Sequence, residues 1–192
     1  MLKPLLTAAV AGCLVLLAGC GNSRTPVPNI DRPAPPAGFR KLTIGSAGIS
    51  LITPRNWTVS NQTAPLVLTV NSGPAVVALW RLPRSAAPPA GRAGVAATRR
   101  ALLAAVRRRD RTVAELHAAS TRVDGAPAIR LDARERIAGQ LRQVTSTHVY
   151  VNGAELVLDE YAPPGQFASV ARSVFSPVRR SLTLVPVIPA GP

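Results

Sequence analysis

The sequence predicts an α+β fold in which helices flank a mostly antiparallel sheet. Short apolar or alternating runs recur along the chain between glycine- and proline-bearing turns, which is typical of strands. Two longer stretches, one in the middle of the chain and one near its carboxyl end, repeat apolar residues at helical spacing instead. The chain has 192 residues. A domain of about 150 residues can bury roughly two-thirds of its unfolded surface, so it needs no disulfides.

The first four strands are predicted as two hairpins. The runs FRKLTI and GISLIT are separated by a glycine-bearing turn, and the runs PLVLTV and AVVALW flank the turn NSGP. Turn residues between two apolar runs favour direct antiparallel pairing. Residues 83–94 are rich in proline, alanine and glycine, and we expect a loop there.

The first helix is predicted over residues 95–109. Val95, Leu102, Leu103 and Val106 recur near one side of such a helix, and its arginines lie elsewhere. This pattern predicts that one face of the helix packs against the sheet.

An antiparallel meander is predicted after this helix. The runs STRV, APAIRLDARERI, QLRQVTSTHVYV and AELVLDEYA are separated by the pairs Asp124-Gly125, Ala138-Gly139 and Asn152-Gly153. Asp-Gly and Asn-Gly between strand-like runs are the strongest short-range hairpin signals.

A closing helix is predicted in the run PPGQFASVARSVFSPVRRSL. The apolar residues Phe167, Val170, Val174 and Phe175 recur at helical spacing, and the spacing continues past Pro177. Proline in a helix interior removes a hydrogen bond and clashes with the preceding turn, so Pro177 either kinks the helix or ends it.

The amino-terminal residues 1–19 have the pattern of an export signal. Lys3 makes the start positive, and residues 5–18 are apolar apart from Thr7. This run is shorter than the about 20 residues that a spanning helix needs, and its length and positive start fit a signal peptide.

The run LAGC, residues 17–20, resembles the lipobox of bacterial lipoproteins. The resemblance implies that a diacylglycerol is attached to the thiol of Cys20, that the chain is cleaved before Cys20, and that the new amino terminus is acylated, for example with palmitate. An earlier match ending at Cys13 leaves too short an apolar run. The alternative is an ordinary cleaved signal with an incidental cysteine.

These features divide the chain into four segments. Residues 1–19 are the predicted signal peptide, and residues 20–38 are the lipidated amino terminus followed by a proline-rich tether. Residues 39–185 are the predicted domain, and residues 186–192 a tail. The tether is interpreted as a spacer; docking of its prolines into an aromatic groove is the alternative. Several acyl chains hold a protein firmly at a bilayer, so we expect a cell-membrane location, anchored and facing outside the cytoplasm.

Within the domain, the run GISLITPRNW resembles the opening of PsbP-like α/β/α sandwich domains. The later run VDGAPAIRLD is similar to a hairpin of that family, and VRRSLTL to its closing helix. Exported actinobacterial lipoproteins of the LpqN type contain such domains. The resemblance implies a fold and a location but no chemistry. The residues that carry it are interpreted as turn and packing positions: Pro54, Trp57, Gly125, Pro127 and Ala128.

The chain is strongly basic, with a formal net charge of +14. A cluster in and after the first helix is the densest part: Arg99, Arg100, Arg107, Arg108, Arg109 and Arg111. An exported, tethered domain rarely meets nucleic acid, so we expect anionic lipid headgroups or phosphate-bearing wall polymers as candidate partners instead. The alternative, which we favour at this point, is a solvated helix end whose charge suits the helix dipole.

We expect no enzyme activity, and no cofactor or metal site. His117 and His148 have no carboxylate or cysteine at metal-ligand spacing, and no catalytic serine or phosphate-loop motif occurs. Asp159 and Glu160 are adjacent in a strand, so their side chains point to opposite faces. Trp57 and Trp80 are interpreted as packing residues.

The sequence therefore predicts a non-catalytic binding or docking module at the cell envelope, with an envelope protein as its expected partner. The alternative is a carrier of a small hydrophobic or lipid ligand, with a cavity lined by residues such as Leu102, Val106, Phe167 and Phe175. A wall-directed hydrolase is a third, weaker interpretation. A pocket that brought His148 together with Asp159 or Glu160 would favour catalysis.

Overall fold

A computed structural model describes residues 31–188. The predicted signal peptide, Cys20, residues 20–30 of the tether and the last four residues lie outside this part. Within residues 31–188, no helix is long and apolar enough to cross a bilayer.

The described chain forms strands and helices in the order that the sequence predicts, with additions at several ends. The strands are β1 (Phe39–Ile44), β2 (Ile49–Pro54), β3 (Thr58–Asn61), β4 (Leu66–Ser72), β5 (Ala75–Pro83), β6 (Ala114–Val123), β7 (Ala126–Ile137), β8 (Gln140–Val151), β9 (Ala154–Ala162) and β10 (Thr183–Leu184). The helices are α1 (Gly91–Arg109), α2 (Pro164–Val170) and α3 (Ser176–Arg180), with a π-helical segment over Ala171–Phe175 between the last two and a 3₁₀ turn at Gly45–Ala47.

The strands form two antiparallel sheets. A three-stranded sheet has the order β1-β2-β10, and a seven-stranded sheet has the order β3-β4-β5-β9-β8-β7-β6. All strand pairings within both sheets are antiparallel. The predicted α+β class and the four-stranded meander β6–β9 are confirmed.

Tight turns set the register of the meander. Asp124 and Gly125 between β6 and β7 have φ angles of 49° and 80°, both in the left-handed region that a type I′ hairpin turn requires. The turn at Asn152-Gly153 brings Tyr150 opposite Glu155 and His148 opposite Val157. Side chains alternate along each strand, so this register assigns every residue of β8 and β9 to one side of the sheet.

The main hydrophobic core lies on one side of the seven-stranded sheet, under the closing helix and the three-stranded sheet. Phe175 from the closing helix and Ile49 from β2 are completely buried there. They pack with side chains of β5, β8 and β9, including Leu79, Val149 and Leu158. We call this side the closing-helix face.

Helix α1 covers part of the opposite side, which we call the α1 face. Val106 of α1 is buried against Leu131 and Ala133 of β7, and Leu102 and Leu103 pack at the edge of this small cluster. The helix ends where Asp110 accepts hydrogen bonds from the backbone N–H and the hydroxyl of Thr112, each at 2.7 Å. These bonds also lower the pKa of Asp110.

The closing helix does not end at Pro177, because the backbone widens before the proline. Over Ala171–Phe175 the helix is π-helical, and the N–H of Ser176 donates to the carbonyl of Ala171, five residues back. Proline lacks an N–H and its ring crowds the carbonyl four residues earlier. A wider turn relieves this crowding, so the helix continues to Arg180 with Val174, Phe175 and Val178 buried.

Several boundaries differ from the sequence prediction. Helix α1 begins at Gly91, inside the predicted loop, and β6 begins at Ala114 and includes a register shift near Glu115, which has a φ of 51°. Strands β3 and β10 were not predicted. Glycine has low helix propensity, and short polar strands carry no periodic signal, so pattern reasoning misses such ends.

The end of the predicted tether packs on the domain. The carbonyl of Ala34 accepts a hydrogen bond of 3.0 Å from the buried Trp57 indole, and the Ala34 N–H donates to Ser72 at 2.9 Å. The Asn56 side chain bonds the backbone of Pro35 and Ala37. The described tether residues are therefore held against the folded body.

One carboxyl group is completely buried in the middle of the structure. Glu160 of β9 lies on the closing-helix face, where its Oε2 contacts the guanidinium of Arg179. Its Oε1 has no hydrogen-bond partner within residues 31–188. Burial raises the pKa of Glu160 to about 8, against the opposing effect of Arg179 and the smaller effect of Arg130.

This raised pKa predicts a pH-dependent stability. Between the ordinary carboxyl pKa and about 8, the folded state holds the Glu160 proton and the unfolded state does not. The free energy of unfolding should therefore fall as pH rises through this range, by up to about 1.4 kcal/mol per pH unit. Urea denaturation of Glu160→Gln, whose amide is neutral at all pH values, should lack this slope. The control Glu115→Gln, at an exposed carboxylate, should keep it, and equal slopes in both variants would contradict the assignment.

Candidate functional site

A cleft opens between α1 and the sheet. Helix α1 packs on β6 and β7, so the part of the α1 face formed by β5, β9 and β8 is only partly covered. The cleft left there has a volume of about 360 Å³. Ligand pockets in proteins range from about 300 to 1,000 Å³, so this cleft is at the small end of that range.

Helix α1 provides one wall of the cleft and four strands provide its floor. The wall residues are one helical stripe, spaced three or four positions apart: Leu102, Ala105, Val106 and Arg109. The floor comes from β5, β7, β8 and β9: Trp80, Leu82, Leu131, Glu135, Ser146, His148, Val157 and Asp159. The cleft is therefore apolar beside the helix and polar over β8 and β9.

The indole N–H of Trp80 is an unused donor in this cleft. Its Nε1 atom is buried and has no hydrogen-bond partner among the described residues. Buried polar atoms are nearly always hydrogen-bonded in native proteins. A ligand oxygen or an ordered water in the cleft would satisfy it.

The polar residues of the cleft floor are paired with one another. The Ser146 hydroxyl donates to Asp159. The Nδ1 atom of His148 lies 2.7 Å from a carboxylate oxygen of Glu155. Glu155 precedes Val157 by two positions in β9. The Ser146 hydroxyl is therefore bonded to a carboxylate and not to His148.

Arg84 extends the pair formed by His148 and Glu155. Arg84 lies 3.5 Å from Glu155, and its guanidinium is 5.0 Å from the centre of the Tyr150 ring. Burial opposes ionisation of Glu155, but the His148 hydrogen bond and the charges of His148 and Arg84 outweigh it, and the pKa of Glu155 is lowered. Burial raises the pKa of Tyr150. The network therefore holds a carboxylate and a neutral phenol under the cleft.

An ion pair borders the cleft where α1 ends. Arg109 Nη2 lies 2.7 Å from Glu135 Oε2 of β7. The Arg109 side chain is 67% exposed, and an exposed pair of this kind contributes about 0–1 kcal/mol to stability. Its effect is to place a polar ion pair with no net charge at the rim.

The predicted basic cluster is spread over the outer surface of α1. Arg100, Arg107, Arg108 and Arg111 are exposed, and Arg99 is half-buried. Arg109 is the member that turns onto the sheet. The four exposed residues can meet an anionic surface, but they do not line the cleft.

The other predicted candidates are divided between the two faces. Asp159 lines the cleft together with His148, whereas Glu160 is on the closing-helix face, as strand alternation predicts. His117 is exposed on the edge strand β6 and does not line the cleft.

The prediction that four named residues line one carrier cavity is wrong. Leu102 and Val106 line the cleft on the α1 face, but Phe167 and Phe175 pack against each other on the closing-helix face, with ring centres 5.6 Å apart. The sheet separates the two pairs, because the helices that carry them cover opposite sides of it.

The residues that carried the family resemblance have structural positions. Pro54 ends β2, and Trp57 is buried beside it. Gly125 is in the β6–β7 turn, and Pro127 and Ala128 begin β7. No set of three or more histidine, cysteine, aspartate or glutamate side chains within residues 31–188 is arranged to hold a metal ion.

The comparisons show a PsbP-like fold. The chain is similar to the cyanobacterial PsbP protein (CyanoP) of Synechocystis, with a TM-score of 0.58 and 13% identity over 88% of this chain and 98% of that one. It is also similar to LpqN of Mycobacterium tuberculosis, described as involved in cell envelope biogenesis, with a TM-score of 0.52 and 15% identity over 77% of this chain and 92% of that one. No protein-family model matches the sequence, and no curated protein is significantly similar to it. At these identities the likeness shows the fold alone.

Sequence reasoning did not single out Ser146, Glu155, Arg84 or Leu131 as site residues. A usable signal was present, because the Asn152-Gly153 turn fixes the β8–β9 register. That register places Ser146 opposite Asp159. The position of α1 over them could not be found in this way.

The buried network under the cleft should contribute to stability. We expect Glu155→Ala to lower the free energy of unfolding by about 1–3 kcal/mol, because it leaves two buried or half-buried partners, His148 and Arg84, without their acceptor. Glu115→Ala removes a carboxylate that is 49% exposed and 3.0 Å from Arg134, and should cost under about 1 kcal/mol. Urea denaturation of both variants measures the difference. Equal losses would mean that the network adds nothing beyond a surface pair.

Proposed function

We propose that this protein is a lipid-anchored, non-catalytic binding module of the cell envelope, and that the cleft under α1 is its binding site. The observation that carries the proposal is the cleft itself, which combines an apolar wall, the unused donor of Trp80 and a polar rim at the Arg109–Glu135 ion pair. Binding sites are typically concave and mostly apolar, with a few polar groups that orient the ligand.

Binding is favoured over catalysis because the polar groups of the cleft are paired with one another. The Ser146 hydroxyl donates to Asp159 and not to His148, so no serine hydroxyl among the described residues of the cleft is hydrogen-bonded to the histidine. A nucleophile activated by a base requires a direct hydrogen bond between the two. His148 and Asp159 thus share a cleft without forming a nucleophile–base pair.

The envelope location rests on two independent supports. The LAGC run with its preceding apolar segment resembles a lipobox, and the similar structure LpqN is described as involved in cell envelope biogenesis. In the proposal, the acylated Cys20 holds the protein at the membrane and the domain faces outward. The exposed arginines in and just after α1 are proposed to favour contact with anionic lipid or wall polymers. They are Arg100, Arg107, Arg108 and Arg111.

The anchor is tested by Cys20→Ala in the native host. We expect the wild-type protein to partition into detergent with the added mass of a diacylglycerol, because the acyl chains each bury many methylene groups. The variant should accumulate uncleaved, since the modified cysteine directs the cleavage. Cys13→Ala is the matched control and should behave as wild type. A Cys20→Ala protein that is still cleaved and still enters detergent would contradict the anchor.

The cleft's occupant decides between the two forms of the proposal. The lead form is docking of an envelope protein segment, and the second candidate is a carrier of a small hydrophobic ligand. The cleft volume of about 360 Å³ is enough for one compact apolar group, which favours the carrier form.

The substitution Ala105→Trp fills the cleft and tests whether the cleft is the binding site. Ala105 lines the cleft from the exposed side of α1, so a larger side chain there enters open space and should change stability by under about 1 kcal/mol. Ala104→Trp, at an exposed α1 position that does not line the cleft, is the control.

Native mass spectrometry of lipidated protein from the native envelope is the measurement. A small added mass that Ala105→Trp loses and Ala104→Trp keeps would support the carrier form. A co-purified envelope protein with the same behaviour would support the docking form. If both variants retained the same associated species as wild type, the cleft would not be the binding site.

A further inference from the structure

A second cavity, separate from the α1 cleft, lies on the closing-helix face of the sheet. Its volume is about 290 Å³, and it is at the carboxyl end of the closing helix beside the β6–β7 turn. Its lining includes Thr121, Asp124, Arg130, Thr147, Arg179 and Arg180. We call it the arginine cavity.

Four arginines line this cavity from three elements. Arg122 of β6 donates to the carbonyl of Gly125 at 2.6 Å. Arg130 of β7 stands directly opposite Thr147 of β8 in the sheet, and Arg179 and Arg180 form the last turn of α3. A guanidinium has five N–H donors in a planar fork that matches the oxygens of a phosphate. Arg179 uses one nitrogen on Glu160 and one on Ser176, and Arg180 has no hydrogen-bond or ion-pair partner within the described chain.

A buried hydroxyl without a partner also lines the cavity. Thr147 is 1% exposed, and its Oγ1 atom makes no hydrogen bond within residues 31–188. Its cross-strand neighbours on this face are Arg130 and Leu158. Buried hydroxyls are nearly always hydrogen-bonded, and an oxyanion bound among the arginines would supply an acceptor for this one.

The acidic groups near the cavity are already engaged. Asp124 accepts a hydrogen bond of 3.0 Å from the Leu184 N–H. Asp132 is 2.9 Å from Arg130 and also accepts from Thr145 at 2.6 Å. Glu160, in contact with Arg179, holds its proton up to about pH 8. The four lining arginines outnumber the three nearby carboxyl groups, Asp124, Asp132 and Glu160, so the cavity keeps a net positive charge even when all three are ionised.

We propose that the arginine cavity binds a phosphate group, with Arg179 and Arg180 donating to its oxygens and the Thr147 hydroxyl donating one further hydrogen bond. The group belongs either to a phosphodiester headgroup or to a free phosphate, which share this chemistry. The site is on the opposite side of the sheet from the α1 cleft and does not depend on what that cleft binds.

The test uses the lipidated protein in an uncharged detergent. Sodium phosphate and glycerophosphoglycerol, a soluble phosphodiester, are titrated at constant ionic strength against sodium chloride, with binding followed by calorimetry and by the melting temperature. Arg180→Gln and Thr147→Val should each weaken phosphate binding about tenfold or more, because each removes a hydrogen bond to a charged group.

Two controls separate binding from charge and from folding. Arg172→Gln removes the same charge from an exposed position of the closing helix outside the cavity and should bind as wild type. Thr53→Val removes another buried, unpartnered hydroxyl elsewhere in the core and should also leave binding unchanged. Thr147→Val should keep or raise the melting temperature without ligand, because it removes an unsatisfied polar group, while binding falls.

The outcomes are distinct. Tighter binding of glycerophosphoglycerol than of inorganic phosphate, lost in Arg180→Gln, would support a headgroup-type phosphodiester. The reverse preference, lost in the same variant, would support a free phosphate. Absence of phosphate binding above the chloride baseline, or equal losses in Arg180→Gln and Arg172→Gln, would overturn the proposal.

Discussion

The antiparallel register of β7, β8 and β9 is the constraint on which the rest of the structure depends. Two tight turns, at Ala138-Gly139 and Asn152-Gly153, set that register, and a shift by one residue would exchange the two faces of the sheet. In the observed register, Val149 and Leu158 enter the main core, while Ser146 and His148 face α1. The closing helix then covers the apolar face, and the same pairing places Glu135, Ser146, His148 and Asp159 in the cleft.

The two faces are covered differently because the two helices differ in their apolar surface. The closing helix buries Val170, Val174, Phe175 and Val178, which is enough to close one face together with the three-stranded sheet. Helix α1 buries only Val106 fully and is otherwise flanked by arginines that remain in solvent. A helix with so narrow an apolar stripe covers only one edge of a sheet. The cleft lies over the part of the sheet that α1 does not cover.

Each candidate site is lined by one residue that has a buried polar atom unpartnered within residues 31–188, and four more such atoms occur on Thr53, Arg84, Glu160 and Gln166. Trp80 Nε1 in the cleft and Thr147 Oγ1 in the arginine cavity lack partners among the described residues, although burial of an unsatisfied polar group is unfavourable. Glu160 adds a carboxyl that burial keeps protonated, held against Arg179 between the sheet and α3. A purely structural core would place apolar residues at these positions at lower cost.

The sequence by itself determined the α+β class, the hairpin turns, the two helices and the resemblance to PsbP-like domains, because these depend on local periodicity and turn chemistry that neighbouring residues carry. It also placed Asp159 and Glu160 on opposite faces through strand alternation. Only the tertiary structure decided that α1 lies on one side of the sheet and the closing helix on the other, which divided Leu102 and Val106 from Phe167 and Phe175. It also decided that Thr147 and Arg180, from elements far apart in the chain, line one cavity. Such contacts depend on packing between distant segments, which no local pattern encodes.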